Sequence, residues 1–283
     1  MRSIGSLVVA SLALAGCTEA TTGRRTLVAS LYPLAFAAER VAGPSWDVID
    51  LTPPGTEAHD VELSLADRTD LQRADLVIYL GDLGFQPQVE EAVRDLDQRA
   101  LAAGEGVITA GDAPDPHVWL DPAAMVTMAD RVADRLSAID PEGQESYRHR
   151  ADALRSELGA LDGEYTSALS TCRYGTMIVS HEAFGYLARR YGLRQLGLAG
   201  PTPEGEPTAS RLAEAEGLLR SGQAGAVFYE ESDEARRIAG SVAADADVPA
   251  LPLATLESRP AAGDYLSVME ENLASLRVGM ECE

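Results

Sequence analysis

The stretch Tyr147–Leu169, YRHRADALRSELGALDGEYTSAL, decides the fold. Tyr147, Ala151, Leu154, Leu158, Leu161, Tyr165 and Leu169 step by three or four, the spacing of one apolar helix face. Asp140-Pro141 stops the preceding helix and starts this one. With Gly159 and Gly163 carried inside it, the helix reaches about residue 169 and is roughly 40 Å long. On both sides of this rod the chain alternates short apolar strands with amphipathic helices, the pattern of a parallel sheet with right-handed crossovers. The expected fold is α/β: two parallel-sheet lobes joined by a long rigid backbone helix, with a cleft between them. The divisions are 25–140 for the first lobe, 141–171 for the linking helix and 172–283 for the second lobe.

In the first lobe, strands are expected at 25–30 and 46–51, with a helix at 31–42 whose inner face is Leu34, Ala38 and Val41. Pro53-Pro54-Gly55 breaks the chain, and Ser64 with Asp67 makes a capping-box signal for a helix to Arg73. Leu76–Leu80 is a continuous apolar run of the buried parallel-strand kind. A helix at 89–101, a strand at 106–109 and a helix opening at Asp121-Pro122 and ending near Ile139 complete the lobe. The second lobe repeats the plan, with strands at 176–180, 193–198, 226–229 and 250–253. Its helices are expected at 182–190, 209–219, 233–244 and 265–278. No sequence repeat accompanies the repeated architecture.

The 283 residues are enough for two medium cores. The formal net charge is −22 and no lysine is present. Nucleic acid is therefore excluded as a partner, because phosphate contacts need a basic face; an acidic surface instead favours cations or simply solubility. Arg2 followed by the apolar run Leu7–Ala15 reads as a signal peptide, 1–16, too short to span a bilayer. It ends in Leu14-Ala15-Gly16-Cys17, which resembles the bacterial lipoprotein signal and implies acylation of Cys17, with 17–24 as a lipidated tether. The protein is expected to be exported and anchored by lipid to the outer face of the cell membrane, or periplasmic. Two cysteines remain, Cys172 and Cys282. In an exported chain an even pair suggests a disulfide, the alternative being two buried thiols.

Three of the four histidines share one placement. His59, His117 and His181 each follow the C-terminal end of an expected strand, where open α/β sheets bind ligands. His117 lies in Asp115-Pro116-His117-Val118-Trp119-Leu120-Asp121-Pro122, stiffened by proline on both sides. His59 and His117 belong to the first lobe and His181 to the second, so facing lobes would let the rings meet. Three neutral imidazoles suit zinc and leave one position of a tetrahedron. His149, between Arg148 and Arg150 in the long helix, reads as a solvated surface residue.

These residues carry a resemblance. LYPLAFAAERVAG, PPGTEAHDVELS, LQRADLVIYLG, DPHVWLDP, VSHEAFGYLARRYGL and VFYEESDEARRIA stand in family order over the mature chain. The chain resembles the metal-binding subunits of zinc and manganese ABC importers, the cluster A-I substrate-binding proteins of the zinc-uptake type. The resemblance implies two lobes on a backbone helix and metal held between them by His59, His117 and His181. The family commonly adds an Asp after the last strand; here Leu253-Ala254-Thr255-Leu256-Glu257 places Ala254 at that position. The fourth ligand is left unassigned: water, or a carboxylate such as Glu57 or Glu231. Losing that oxygen while keeping three nitrogens favours Zn2+ over manganese, and affinity should fall as pH drops through the histidine range.

The leading expectation is a monomeric, non-catalytic zinc-binding protein that delivers its cargo to an ABC permease. A manganese or other divalent-metal carrier is the alternative of the same class. A three-His zinc hydrolase is the rival from another class, although no HExxH or GxSxG motif is present; an adhesin-like surface lipoprotein is a third reading.

Overall fold

The computed structural model describes residues 24–108, 115–200, 205–230 and 232–283. The signal segment, Cys17, the tether up to Gly23 and Glu231 lie outside them. Two four-stranded, all-parallel sheets are built in the same order. The first is β2 (Trp46–Asp50), β1 (Arg25–Ala29), β3 (Leu76–Tyr79), β4 (Ala100–Ala102). The second is β6 (Arg194–Gly197), β5 (Thr176–Val179), β7 (Val227–Tyr229), β8 (Ala250–Pro252). In each lobe the chain leaves its first strand to one side and returns on the other. This creates a switch point whose strand ends face the same cleft.

The linking helix is α5, Gln144–Leu169, 26 residues and about 39 Å long. Its buried set is Tyr147, Ala151, Leu154, Leu158, Leu161, Tyr165 and Leu169, the stripe read from the sequence. One end is fixed to the first lobe, where the Trp46 indole donates to Tyr147 Oη at 2.9 Å and Tyr147 donates to Asp140 at 2.6 Å. The other end is fixed to the second lobe, where Tyr165 donates to the Met269 carbonyl at 2.6 Å from inside α9 (Tyr265–Gly279). α5 packs on α1 (Tyr32–Ala42), α4 (Pro122–Ile139) and α9, so one apolar cluster runs through both lobes.

Most expected elements form within a residue or two. α2 (Leu65–Arg73) begins with the capping box of Ser64 and Asp67. α7 (Ala209–Arg220) and α8 (Asp233–Asp245) match their expected spans and are capped by Thr208 and Ser232. Four expectations are corrected. The helix at 89–101 is only α3, Pro87–Val93; short turns follow, and Asp97 takes a left-handed φ of 46°. Ala100-Leu101-Ala102 then pairs with Val77–Tyr79 as an edge strand, so sheet pairing overrides the helix preference of alanine and leucine.

The strand expected at 106–109 is accordingly a turn as far as it is described, and a Cβ at Gly104 would stand 2.6 Å from the Leu80 carbonyl. α1 buries nearly every side rather than one face, because it lies between the first sheet, α4 and α5. The helix expected at 182–190 is only α6, Gly185–Arg190; residues 181–184 bend instead.

Cys172 and Cys282 form a disulfide across 110 residues, tying the end of α5 to the residues after α9. No helix among the described residues is long and apolar enough to cross a membrane. Replacing both cysteines by serine should leave the fold intact and lower unfolding stability by about 2–5 kcal/mol, from the loop entropy returned to the unfolded chain. Denaturant titration of the double variant checks this; a midpoint equal to that of the parent would contradict it.

Candidate metal centre

The loops after β2, β4, β5 and β8 each send one side chain to a common point. His59 lies in the turn Ala58–Asp60, His117 just before the turn Val118–Leu120, His181 two residues after β5, and Glu257 five residues after β8. One ligand-capable atom from each lies within 4.8 Å of the other three. The rings of His59 and His181 flank that of His117, with centroids at 5.5 and 5.3 Å. Zinc–nitrogen bonds of ~2.0–2.1 Å place tetrahedral ligands about 3.3 Å apart, so a small inward movement suffices to close on one ion.

The group is buried, and two of its ring nitrogens make no hydrogen bond among the described residues. His117 and His181 are fully buried and Glu257 is 4% exposed. Among the described residues, His59 Nε2 and His181 Nε2 are buried with no hydrogen-bond partner. A buried polar atom without a partner costs on the order of 1–3 kcal/mol. Two at one point, beside a carboxylate, are what a cation would satisfy.

Each buried ring is aimed by a carboxylate behind it. Asp115 Oδ1 lies 2.9 Å from His117 Nδ1 and also accepts the His117 backbone N–H at 3.0 Å. Glu230 Oε1 lies 3.0 Å from His181 Nδ1 and accepts the Ser180 hydroxyl at 3.1 Å. With Nδ1–H donating backward, Nε2 of both rings points into the group. Gly185 makes room for the first of these carboxylates, because a Cβ there would stand 2.5 Å from Asp115 Oδ2. Phe85 packs edge-on to His59 at 4.5 Å, and Trp119 lies 5.2 Å from His117.

Glu257, rather than Glu57, is the carboxylate that the structure brings together with the three histidines. Glu57 lines two cavities next to the group, and Glu231 lies outside the described residues. Ala254, where the resemblance implies an Asp, has its backbone bracketed by Asn272, which accepts from Ala254 N and donates to Ala254 O, both at 2.8 Å. Leu256 then takes φ 58°, left-handed and costly for a branched side chain, and the turn carries Glu257 inward. A carboxylate three residues beyond the alanine was visible in sequence; the left-handed turn that delivers it was not. Asp115 and Glu230 were also missed as orienting groups, although each sits beside a histidine or at a strand end. His149 is exposed on α5 and takes no part.

Charge supports the same reading. The cleft opens to a cavity of about 400 Å³ walled by Thr56, Glu57, Glu230, Thr255, Glu257 and Arg259. A second opening is edged by Glu57, Asp60, Glu206, Glu230 and Glu234 against Arg237, so cations meet a negative approach.

A family model described as zinc-uptake complex component A, periplasmic, matches residues 27–279. The chain belongs to this family. It is 30% identical over 302 residues to the zinc-binding lipoprotein AdcA of Streptococcus pneumoniae serotype 4, covering 96% of this chain and 60% of that protein. It is 25% identical over 286 residues to the high-affinity zinc uptake system protein ZnuA of Bacillus subtilis, covering 93% and 89%. The chain thus spans little more than half of its AdcA relatives, 56% in the Streptococcus pyogenes serotype M1 protein. Among solved structures, the Zn(II)-bound ZnuA-like domain of S. pneumoniae AdcA superposes with a TM-score of 0.80 at 30% identity, covering 92% of this chain and 100% of that one. The laminin-binding protein of Streptococcus agalactiae, described as bifunctional with adhesin and metal-transporting activity, gives 0.81 at 30% identity, with 90% and 99% covered.

In the metal-free protein His117 and Glu257 are a buried ion pair. Burial works against the charged His117 ring, but hydrogen bonds to Asp115 and Glu257 outweigh it and raise the pKa to about 9. Burial works against the Glu257 charge too, but the His117 hydrogen bond and the surrounding rings hold its pKa down to about 2. His59 is lowered, by burial first.

A raised histidine contributes stability that is complete below ~6.5 and lost as pH climbs toward its folded value; a lowered carboxylate contributes stability that is lost as pH falls from ~4.3. The metal-free protein should therefore lose thermal stability between about pH 6.5 and 9, and His117→Ala should flatten that slope. Scanning calorimetry across this range checks it; an unchanged slope in the variant would contradict the pairing.

Proposed function

We propose that this protein captures Zn2+ outside the cell membrane and delivers it to an ABC permease, with His59, His117, His181 and Glu257 as the ligands. The observation that carries the reading is the convergence of those four groups, with Nε2 of His59 and His181 buried and, among the described residues, without a hydrogen-bond partner. Three imidazole nitrogens with one carboxylate oxygen suit zinc better than manganese, which prefers oxygen-rich sites. The relatives named as zinc-binding support the same metal.

Glu257 also separates carriage from hydrolysis. A catalytic zinc keeps an open position for water, and the buried Glu257 carboxylate beside the three rings supports a filled position instead. The reading needs no turnover, only capture and release. Asp115 and Glu230 hold the rings in the tautomer that presents Nε2, and binding displaces the proton that His117 holds in the metal-free state. The lobes are taken as 25–140 and 172–283 with 141–171 between them. Cleavage after residue 16 and acylation of Cys17 would hold the monomer at the membrane beside its permease.

Zinc titration by calorimetry tests the site. His117→Ala should weaken binding by more than about 100-fold, and His59→Ala, a less buried change, should also weaken it strongly. Unchanged affinity in folded His117→Ala protein would overturn the assignment.

A further inference from the structure

Although Glu257 belongs by sequence to the second lobe, its loop is tied to the first lobe at four residues, Thr255, Glu257, Ser258 and Arg259. The Trp119 indole, two residues beyond His117, donates to the Thr255 carbonyl at 2.7 Å. Glu257 Oε2 accepts the backbone N–H of Ala58 at 2.9 Å, beside His59, while Oε1 faces His117 at 3.2 Å. Ser258 Oγ accepts the Gly55 N–H at 3.1 Å. Arg259 closes the series with a two-pronged contact to Glu39 on α1, at 2.7 and 3.5 Å, and lies over the Tyr32 ring at 4.9 Å. Every one of these partners, from Tyr32 to Trp119, belongs to the first lobe.

We propose that Arg259 is a positioning residue for metal capture: it straps the Glu257 loop to the first lobe, so that His59, His117 and Glu257 form a preassembled three-ligand half-site and His181 is the lone ligand contributed by the opposite lobe. The inference rests on the zinc reading above and deepens it. Neither strap residue is in the ligand group, and the side chains of Arg259 and Glu39 are each about two-fifths exposed, 40% and 41%. The strap therefore restrains the loop without entering the metal group.

Two consequences distinguish a strap from a general stabiliser. Cutting it should free the amides of Ala58 and Gly55, which donate to Glu257 and Ser258, while leaving the core amides protected. It should also quicken zinc loss, because Glu257 then leaves the half-site more readily. For a partly exposed but two-pronged ion pair the effect on release is on the order of fivefold.

The test follows zinc release from the full chain into excess chelator, amide hydrogen exchange of the metal-free protein, and its melting temperature. Arg259→Ala should release zinc about fivefold faster and expose the Ala58 and Gly55 amides, with little change in melting. Glu39→Arg alone should do the same, and the swapped pair Glu39→Arg/Arg259→Glu should recover most of the slow release. Parental release and protection in Arg259→Ala would overturn the proposal. So would faster release matched by a general loss of melting temperature that the swap does not restore. A parent chain that fails to hold zinc would sink the zinc reading instead, and exchange at Ala58 would still decide the strap.

Discussion

One carboxylate carries the arrangement of this site. Glu257 takes the Ala58 amide with one oxygen and faces His117 with the other, so a residue of the second lobe becomes a wall of the first. Without it the buried positive ring of His117 would rest on Asp115 alone, and His59 and His181 would point at an empty centre. A buried ion pair of this kind is poor ballast for folding, since desolvation offsets most of its attraction. Its value is positional: it holds the ligand loops in register, and it can be displaced by a cation that satisfies the same atoms.

The scaffold supplies the rigidity that such a centre needs. Both sheets place their first strand inside, so ligand loops leave from equivalent strand ends on either side of the cleft. α5 fixes the distance between those ends, with Tyr147 bonded at one terminus and Tyr165 at the other. Arg190 on α6 adds a cross-tie, bonding Asp162 on α5 at 2.5 and 2.6 Å and reaching Asp121, the cap of α4, at 3.3 Å. The His117 loop, the rod and the helix after His181 are thereby braced together.

Much of this was legible in the sequence, for identifiable reasons. The stripe from Tyr147 to Leu169 has a single period, and the buried face of α5 follows it residue for residue. The three histidines were found because strand ends are local features that a reader can place. Glu257 was not, because it reaches the site through a left-handed Leu256 and a set of bonds to the other lobe, none of which has a local signature. The edge strand β4 was missed because Ala100-Leu101-Ala102 has helical preferences and becomes a strand only by pairing with β3. Tertiary contact decided both cases.

The central claim is that one zinc ion is held jointly by the three imidazoles and Glu257. The most direct measurement is a crystal structure of the zinc-loaded protein with anomalous scattering recorded at the zinc edge. A single ion bonded at ~2.0–2.2 Å to one nitrogen each of His59, His117 and His181 and to a Glu257 oxygen is the predicted result. An ion placed elsewhere, or bound in the cleft with a water rather than a Glu257 oxygen in the fourth position, would contradict the account.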